Sequence, residues 1–341
     1  MSTIAASSRP GLLFCVALGL VAQGSLSVGW SPLLVALVAG LALGRLASAE
    51  ALRLLTPGID RAKRWLLPAG VALYALRIDM SWLVGEAGLQ VLLVDAVLLT
   101  TTFVLAVTAG PRLLGMPVSQ AALIGAGSAI CGVSAILATA GTLRARGDEV
   151  TVAVATVAAF GLLAFFLHPL LWRVNAVFPF IAGGAQGYGA YIGATVHDVA
   201  QVVATASVVD AGAVESAVVA KLGRVAMLAP FLVLIARHGQ RLGMPLEGAG
   251  GALGNWRGAM LLPALCLAAA SVGTLLPAAA VQWSDEPAGI CMSAAVFGLG
   301  FCTRFKTLVS AGRSAALLGA LLLAWLLLGG ALLHYVAGGA R

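Results

Sequence analysis

His197 and Asp198 are adjacent, ionisable and embedded in strongly apolar sequence. A charged side chain at bilayer depth costs roughly 2.5–3.5 kcal/mol on insertion scales, so such residues face a bundle interior or a water-filled cavity and mark substrate or proton paths. Histidine titrates near neutral pH, which suits His197 to proton coupling. The competing reading is a structural hydrogen-bonded pair between helices. Neighbouring side chains on a regular helix point about 100° apart and cannot both face one ligand. Gly193 and the Gly187–Tyr191 stretch before them could loosen the helix. Gln201, one turn on, extends the polar stripe on the face of His197, and Thr195 precedes the pair.

This segment has a counterpart earlier in the chain. Gly127–Ala140 aligns without gaps on Gly193–Ala206 at an offset of 66 residues. Gly127/Gly193, Val133/Val199, Ala138/Ala204, Thr139/Thr205 and Ala140/Ala206 are identical, and Cys131-Gly132 stands where the later copy has His197-Asp198. Duplicated, glycine-interrupted membrane segments mark transporters built from internal repeats. The earlier copy is crowded with Gly127, Ser128, Cys131, Gly132 and Ser134. Small residues permit close helix packing; the functional alternative is an interrupted helix whose free amides point at an anion.

Lys221 and Arg224 are three residues apart and share a helix face. They either snorkel outward or neutralise Asp198 or an anionic substrate, with Lys221 the deeper of the two. Asp95 is a lone acid in an apolar helix and reads either as a coupling-ion site or as a partner for Lys221 or Arg77. Arg77 and Asp79 fall near a helix end, His168, His238 and His334 look like boundary histidines, and Asp148-Glu149 reads as a solvated loop pair. The sequence contains no motif for nucleotide, metal or triad chemistry, so neither a cofactor nor a metal is expected.

Composition dictates the solvent of the elements that hold these groups. Of 341 residues, 61% are apolar and 10% charged, against about 25% charged in soluble domains. The net charge of +7 is spread over short loops, which fits the positive-inside rule and not a nucleic-acid partner. Cys15, Cys131, Cys266, Cys291 and Cys302 lie in or near apolar runs without a CxxC spacing, so disulfides are not expected.

A bilayer core of about 30 Å needs about 20 apolar residues per helix. Eleven segments qualify: 11–28, 31–48, 66–84, 89–109, 120–140, 150–172, 186–206, 216–236, 258–276, 289–306 and 314–336. The first is read as a transmembrane helix rather than a leader. The expected fold is an all-α polytopic membrane protein with internal repeats, interrupted helices, a core of about 66–236 and a scaffold including 11–48 and 258–276. With the N-terminus cytoplasmic and all eleven crossing, fourteen of the twenty basic residues lie inside and four outside. That count makes segments 5 and 7 parallel. A weaker echo between Tyr74–Gly88 and Gly300–Gly312 would be inverted. Residues 50–64 read as a basic amphipathic linker at the cytoplasmic interface.

Leu123–Ile136 and Tyr191–Ala204 resemble hallmark motifs of the YeiH-type family of bacterial inner-membrane proteins, which carries a sulfate-exporter label. Glu149–Val157 and Lys221–Pro230 resemble it too. Val133 and the Gly300–Arg304 stretch depart from the family pattern. The resemblance implies ten or eleven helices in the inner membrane and similarity to cation/proton antiporters and bile-acid-symporter-like carriers. The expected function is secondary transport of a small anion, sulfate or an organic sulfonate, coupled to protons (Na+ as the alternative) and without catalysis. The expected substrate site comprises Gly127, Ser128, Cys131, Gly132, Ser134, Thr195, His197, Asp198, Gln201 and Lys221, and His197, Asp198 and Asp95 would carry protons. The bilayer and a second copy of the chain are the expected partners. An anion channel, an intramembrane enzyme using His197 with Cys131 and an accessory subunit are the alternatives.

Overall fold

The computed structural model describes residues 9–25, 31–76, 85–143, 145–239, 264–277, 281–302 and 312–339. Arg77, Asp79, most of the Gly300–Gly312 echo and the first part of segment 258–276 lie outside the described residues. The regular elements are helical: α1 (Arg9–Gln23), α2 (Pro32–Leu46), α3 (Ala49–Ala75), α4 (Glu86–Leu114), α5 (Val118–Ala129), α6 (Val133–Thr142) and α7 (Gly147–Val177). They continue with α8 (Gly184–Thr195), α9 (Val199–Val209), α10 (Val214–Ala226), α11 (Leu228–His238), α12 (Ala264–Gly273), α13 (Asp285–Cys302) and α14 (Arg313–Gly339). Two compact units divide the chain, one of residues 1–80 and 264–304 and the other of 81–263 and 305–341.

The first unit packs α1, α2, α3 and α13 around Cys15, Ile59, Ala62, Phe297 and Phe301. Glycines set the spacing. A Cβ at Gly19 would stand 2.9 Å from the Ala294 nitrogen and one at Gly70 would stand 2.8 Å from Met292, so the backbones approach as small-residue membrane interfaces do. The basic stretch 50–64 is not a separate linker. It is the first half of α3, which starts at Ser48, whose hydroxyl accepts from the Ala51 amide at 3.2 Å. The stretch buries Ile59 and Ala62 in the core and leaves its charges on the other side.

The second unit holds all ten residues expected at the substrate site. Among its described residues, four helical stretches are long and apolar enough to cross a membrane: Gly88–Leu114, Gly147–Val177, Ala211–His238 and Arg313–Ala337. Its burial is inverted relative to a soluble protein. Asp95, Lys221, Arg224 and His197 are at most 1% exposed, while Leu113, Val97 and Leu170 are 76%, 47% and 57% exposed. An apolar exterior around a charged interior fits a lipid solvent.

Segments 120–140 and 186–206 do not cross. Each breaks and folds back as a half-membrane hairpin. In the first, Ser119 at the start of α5 donates to Oε1 of Glu149 at the start of α7, at 2.8 Å. Thr142, the last residue of α6, therefore lies within a few residues of the level at which α5 began. A Cβ at Gly127 would stand 2.7 Å from Cγ1 of Ile136. In a continuous helix residues nine apart are separated by about 13 Å, at ~1.5 Å rise per residue, so α6 returns along α5.

The second hairpin is rooted at the opposite end of α7. Asn175 accepts the Phe180 and Ile181 amides at 2.9 and 2.8 Å just before α8 begins. After α9, Ser216 donates to the Gln186 carbonyl at 2.7 Å, back at the start of α8. The tips meet midway along α7: Val157 packs on Gly127, while Gly161 packs on His197 and Gln201. Half-helices of 10–12 residues reach about 15–18 Å at ~1.5 Å per residue, half a bilayer core. The parallel arrangement expected of the pair is thus incorrect. The two segments enter from opposite ends, because neither changes side.

Glu149 also departs from expectation. It is 6% exposed and accepts from both Ser119 and the Arg146 amide, the latter at 3.0 Å, which closes the root of the first hairpin. Asp148 alone is the surface residue, paired with Arg146 at 2.6 Å. Glu149→Ala should destabilise the protein by about 1–2 kcal/mol through the lost cap and an orphaned hydroxyl. Glu149→Gln should recover most of that loss. A melting temperature unchanged in Glu149→Ala would refute the role.

Candidate functional site

The breaks in the two hairpins form the candidate site. In the first, α5 ends at Ile130 and α6 begins after Gly132, whose φ of 68° and ψ of −130° suit glycine and strain other residues. In the second, α8 ends at Val196. Asp198 then caps α9, its carboxylate accepting from the Ala200 amide at 2.8 Å. The tips touch. A Cβ at Gly132 would lie 3.6 Å from the His197 carbonyl and 3.7 Å from Oδ2 of Asp198. The objection that adjacent residues of a regular helix cannot serve one site therefore does not arise, because the helix is interrupted between Thr195 and Val199.

Lys221 ties the tips together. Its ammonium, fully buried on α10, donates to the Ile130 carbonyl at 2.6 Å and to the Val196 carbonyl at 2.8 Å. These are the cap carbonyls of α5 and α8, the negative ends of two half-helix dipoles. One cation so satisfies two orphan carbonyls at membrane depth, where an unpaired polar group is costly. Lys221 does not snorkel, and two of its three protons are committed to the backbone.

Close approach of α8 to α10 makes this reach possible. Gly189 and Gly193 are four residues apart on α8, and a Cβ at Gly193 would stand 2.8 Å from that of Ala220 and 3.1 Å from the Lys221 nitrogen. Two tyrosines anchor α8 elsewhere: Tyr188 donates to the His168 carbonyl at 2.9 Å and Tyr191 to the Leu327 carbonyl at 2.8 Å.

Thr195 donates its hydroxyl proton to the Tyr191 carbonyl at 2.6 Å, so the 2.9 Å contact to His168 is donated by Nε2–H of the imidazole. His168 is fully buried. It is a positioning partner of the second tip and not the boundary histidine expected from its neighbouring Pro169.

The remaining expected residues divide clearly. Cys131, Gly132, His197 and Gln201 are buried at the tips, and Asp198 is half-buried there. Neither ring nitrogen of His197, nor Oε1 of Gln201, has a hydrogen-bond partner among the described residues. Gly127 and Ser128 are buried in the arm of the first hairpin and shape its packing, whereas Ser134 is exposed in the first turn of α6. Asp95 is fully buried on α4, and its carboxylate faces Arg224 at 3.9 Å. Arg224 was not among the residues expected at the site, although its three-residue spacing from Lys221 already placed the two on one face. Gly161, which admits His197 and Gln201 against α7, carries no sequence signal that separates it from other glycines of an apolar helix.

Half-membrane hairpins inside an apolar shell, with their tips joined over buried charge, define a multi-pass helical membrane protein. The family described as conserved hypothetical protein 698 matches residues 10–319, and the chain belongs to that family. It is similar to a UPF0324 membrane protein of Pseudomonas aeruginosa, at 38% identity covering 96% of this chain and 94% of the relative. It is also similar to the UPF0324 inner membrane protein YeiH of Escherichia coli K12, at 34% identity covering 90% and 86%. A UPF0324 membrane protein of Yersinia pestis is 34% identical over 89% and 84%. The resemblance carried by the two tip motifs therefore holds over most of the chain. No solved structure matches it.

Proposed function

We propose that the protein is a proton-coupled secondary transporter of a small oxyanion, sulfate or an organic sulfonate, held between the two hairpin tips. The observation that carries this reading is the meeting of two half-membrane hairpins, rooted at opposite ends of α7, over the ammonium of Lys221. Non-helical backbone at membrane depth is tolerated where it is buried or lines a cavity, and carriers place substrates at such interruptions near the midplane. A site reached by one hairpin from each side suits alternating access, as an inverted repeat would. The candidate proton-exchanging groups are His197, with both ring nitrogens unpaired among the described residues, Asp198 at the tips and Asp95 on α4, with Na+ the alternative coupling ion.

The hairpin unit would act as the transport core and the unit of α1–α3, α12 and α13 as the scaffold, with a homodimer as the assembly. Returning the two hairpins to the side they left also sharpens the topology. With segments 5 and 7 counted as non-crossing, the sequence's own count of basic residues shifts from fourteen against four to fifteen against three. This supports a cytoplasmic N-terminus. The reading gives Cys131 and His197 no catalytic role.

The test is counterflow of labelled sulfate and labelled methanesulfonate in proteoliposomes of the purified chain. Saturable uptake with a transient overshoot against unlabelled internal anion is expected. Non-saturating flux without counterflow would replace the carrier by a channel, and absence of flux for every anion would overturn the transport reading.

A further inference from the structure

Arg224 lies one turn beyond Lys221 on α10, within electrostatic range of Cys131 and His197 at the tips, and is fully buried. Its Nε stands 3.9 Å from Oδ1 of Asp95, also fully buried. That separation makes an ion pair but exceeds hydrogen-bond length. None of the three guanidinium nitrogens and neither carboxylate oxygen has a hydrogen-bond partner among the described residues.

Buried guanidinium groups are normally matched donor for donor, because desolvating them otherwise outweighs the Coulomb gain. Here an entire planar fork, the geometry that takes two oxygens of an oxyanion at once, is unspent beside the tip junction. Lys221, the other buried cation among the described residues, is already committed to two carbonyls.

We propose that Arg224 and Asp95 form an anion–proton exchange pair, an inference that rests on the transport reading. A monoanionic oxyanion, such as the head group of a sulfonate, docks on the Arg224 fork. Asp95, relieved of its counter-charge, takes one proton from the aqueous side onto a carboxylate oxygen. No covalent bond of the ligand changes. One negative charge and one proton enter together, so the buried cluster keeps its net charge in both states. A low-dielectric site demands this of anything that crosses it both loaded and unloaded. Anion and proton therefore move in the same direction, and a monoanion fits the single exchangeable charge better than a dianion does.

The titratable groups around the pair include Lys221 on α10, Cys131 at the first tip, His197 and Asp198 at the second and His334 on α14. All are retained in the test variants, so they form a constant background. Binding of methanesulfonate to the purified full chain is measured by titration calorimetry in buffers of different ionisation enthalpy, with sulfate in parallel. The wild type should take up about one proton per methanesulfonate and bind it more tightly than sulfate. Asp95→Asn should bind methanesulfonate at least as well while taking up no proton. Arg224→Gln in the Asp95→Asn background leaves no unpaired charge and should fold, as read by its melting curve, yet bind about thirty-fold more weakly than Asp95→Asn, the loss of a charged hydrogen-bond pair.

Affinity within about threefold of Asp95→Asn in that double variant, persistent proton uptake in Asp95→Asn, or tighter binding of sulfate would each overturn the proposal. If these outcomes accompany intact counterflow, the pair loses its role and the transport reading stands. If the wild type neither binds nor carries any anion, both fall.

Discussion

Lys221→Met should abolish anion counterflow and lower the melting temperature more than any other single side-chain change in the hairpin unit. The side chain keeps an unbranched apolar stem out to the ε position, so the effect isolates the ammonium. Without it the Ile130 and Val196 carbonyls lose their donor. Each orphaned, buried acceptor costs about 1–3 kcal/mol. Removing a buried cation returns part of its desolvation cost and relieves its repulsion with Arg224, but it also takes a nearby positive charge from Asp198 and Asp95. The net expectation is a loss of about 2–4 kcal/mol, concentrated at the tips. Lys221→Arg should restore part of the stability and little of the transport, because a rigid planar fork cannot place one nitrogen between two carbonyls as an ammonium does. A Lys221→Met protein that melts within a degree of wild type and still catalyses counterflow would refute the tie.

Gly193→Leu should have the second-largest effect, through the backbone instead of through charge. A Cβ at that position would meet the Ala217 carbonyl, and it would stand 2.8 Å from the Ala220 Cβ and 3.1 Å from the Lys221 nitrogen. Two of these three neighbours are main-chain atoms of α10, which cannot move aside as a flexible side chain would. A leucine must therefore push α8 away from α10. Overpacking of this kind costs about 1–3 kcal/mol or more. The same displacement pulls Val196 from Lys221, so transport should fall more steeply than stability. Gly132→Ala provides the contrast, because its nearest neighbours would lie at ordinary contact distance, 3.6 Å and beyond. Only its positive φ opposes the substitution, and a milder loss is expected. Comparing melting curves with counterflow rates for both variants checks the ordering. Wild-type transport in Gly193→Leu would remove the close packing of α8 on α10 from the mechanism.

That the two segments break was legible in the sequence, but the place of the second break was not: Gly187–Tyr191 and Gly193, expected to loosen it, lie inside α8, and the interruption falls at Val196–Asp198. Gly132 beside Cys131 and the polar His197-Asp198 pair interrupt otherwise apolar runs, and the 66-residue offset tied one break to the other. The burial of Lys221 was legible as one of two alternatives. Its partners were not, because backbone carbonyls bear no sequence label. Glu149 looked like a loop acid for the same reason: nothing in the order of residues brings Ser119 to it across thirty positions. Arg224 showed its face-sharing with Lys221, yet only the packing of α10 against α4 set it opposite Asp95.

Composition and hydropathy by themselves determined that the chain is a helical membrane protein, while the gapless alignment of 127–140 on 193–206 marked the polar interruptions at which a site was expected. Burial of apolar surface in lipid and the cost of charge there depend on residue type alone, so a one-dimensional pattern suffices. Only the tertiary structure decided that the two segments turn back at midplane and meet from opposite ends. A run of about twenty apolar residues has the same hydropathy whether it crosses as one helix or returns as two halves. The choice between them is made by contacts distant in sequence: the roots tied at Glu149 and Ser216, the glycines that let α8 lie on α10, and one ammonium that satisfies the ends of two half-helices together.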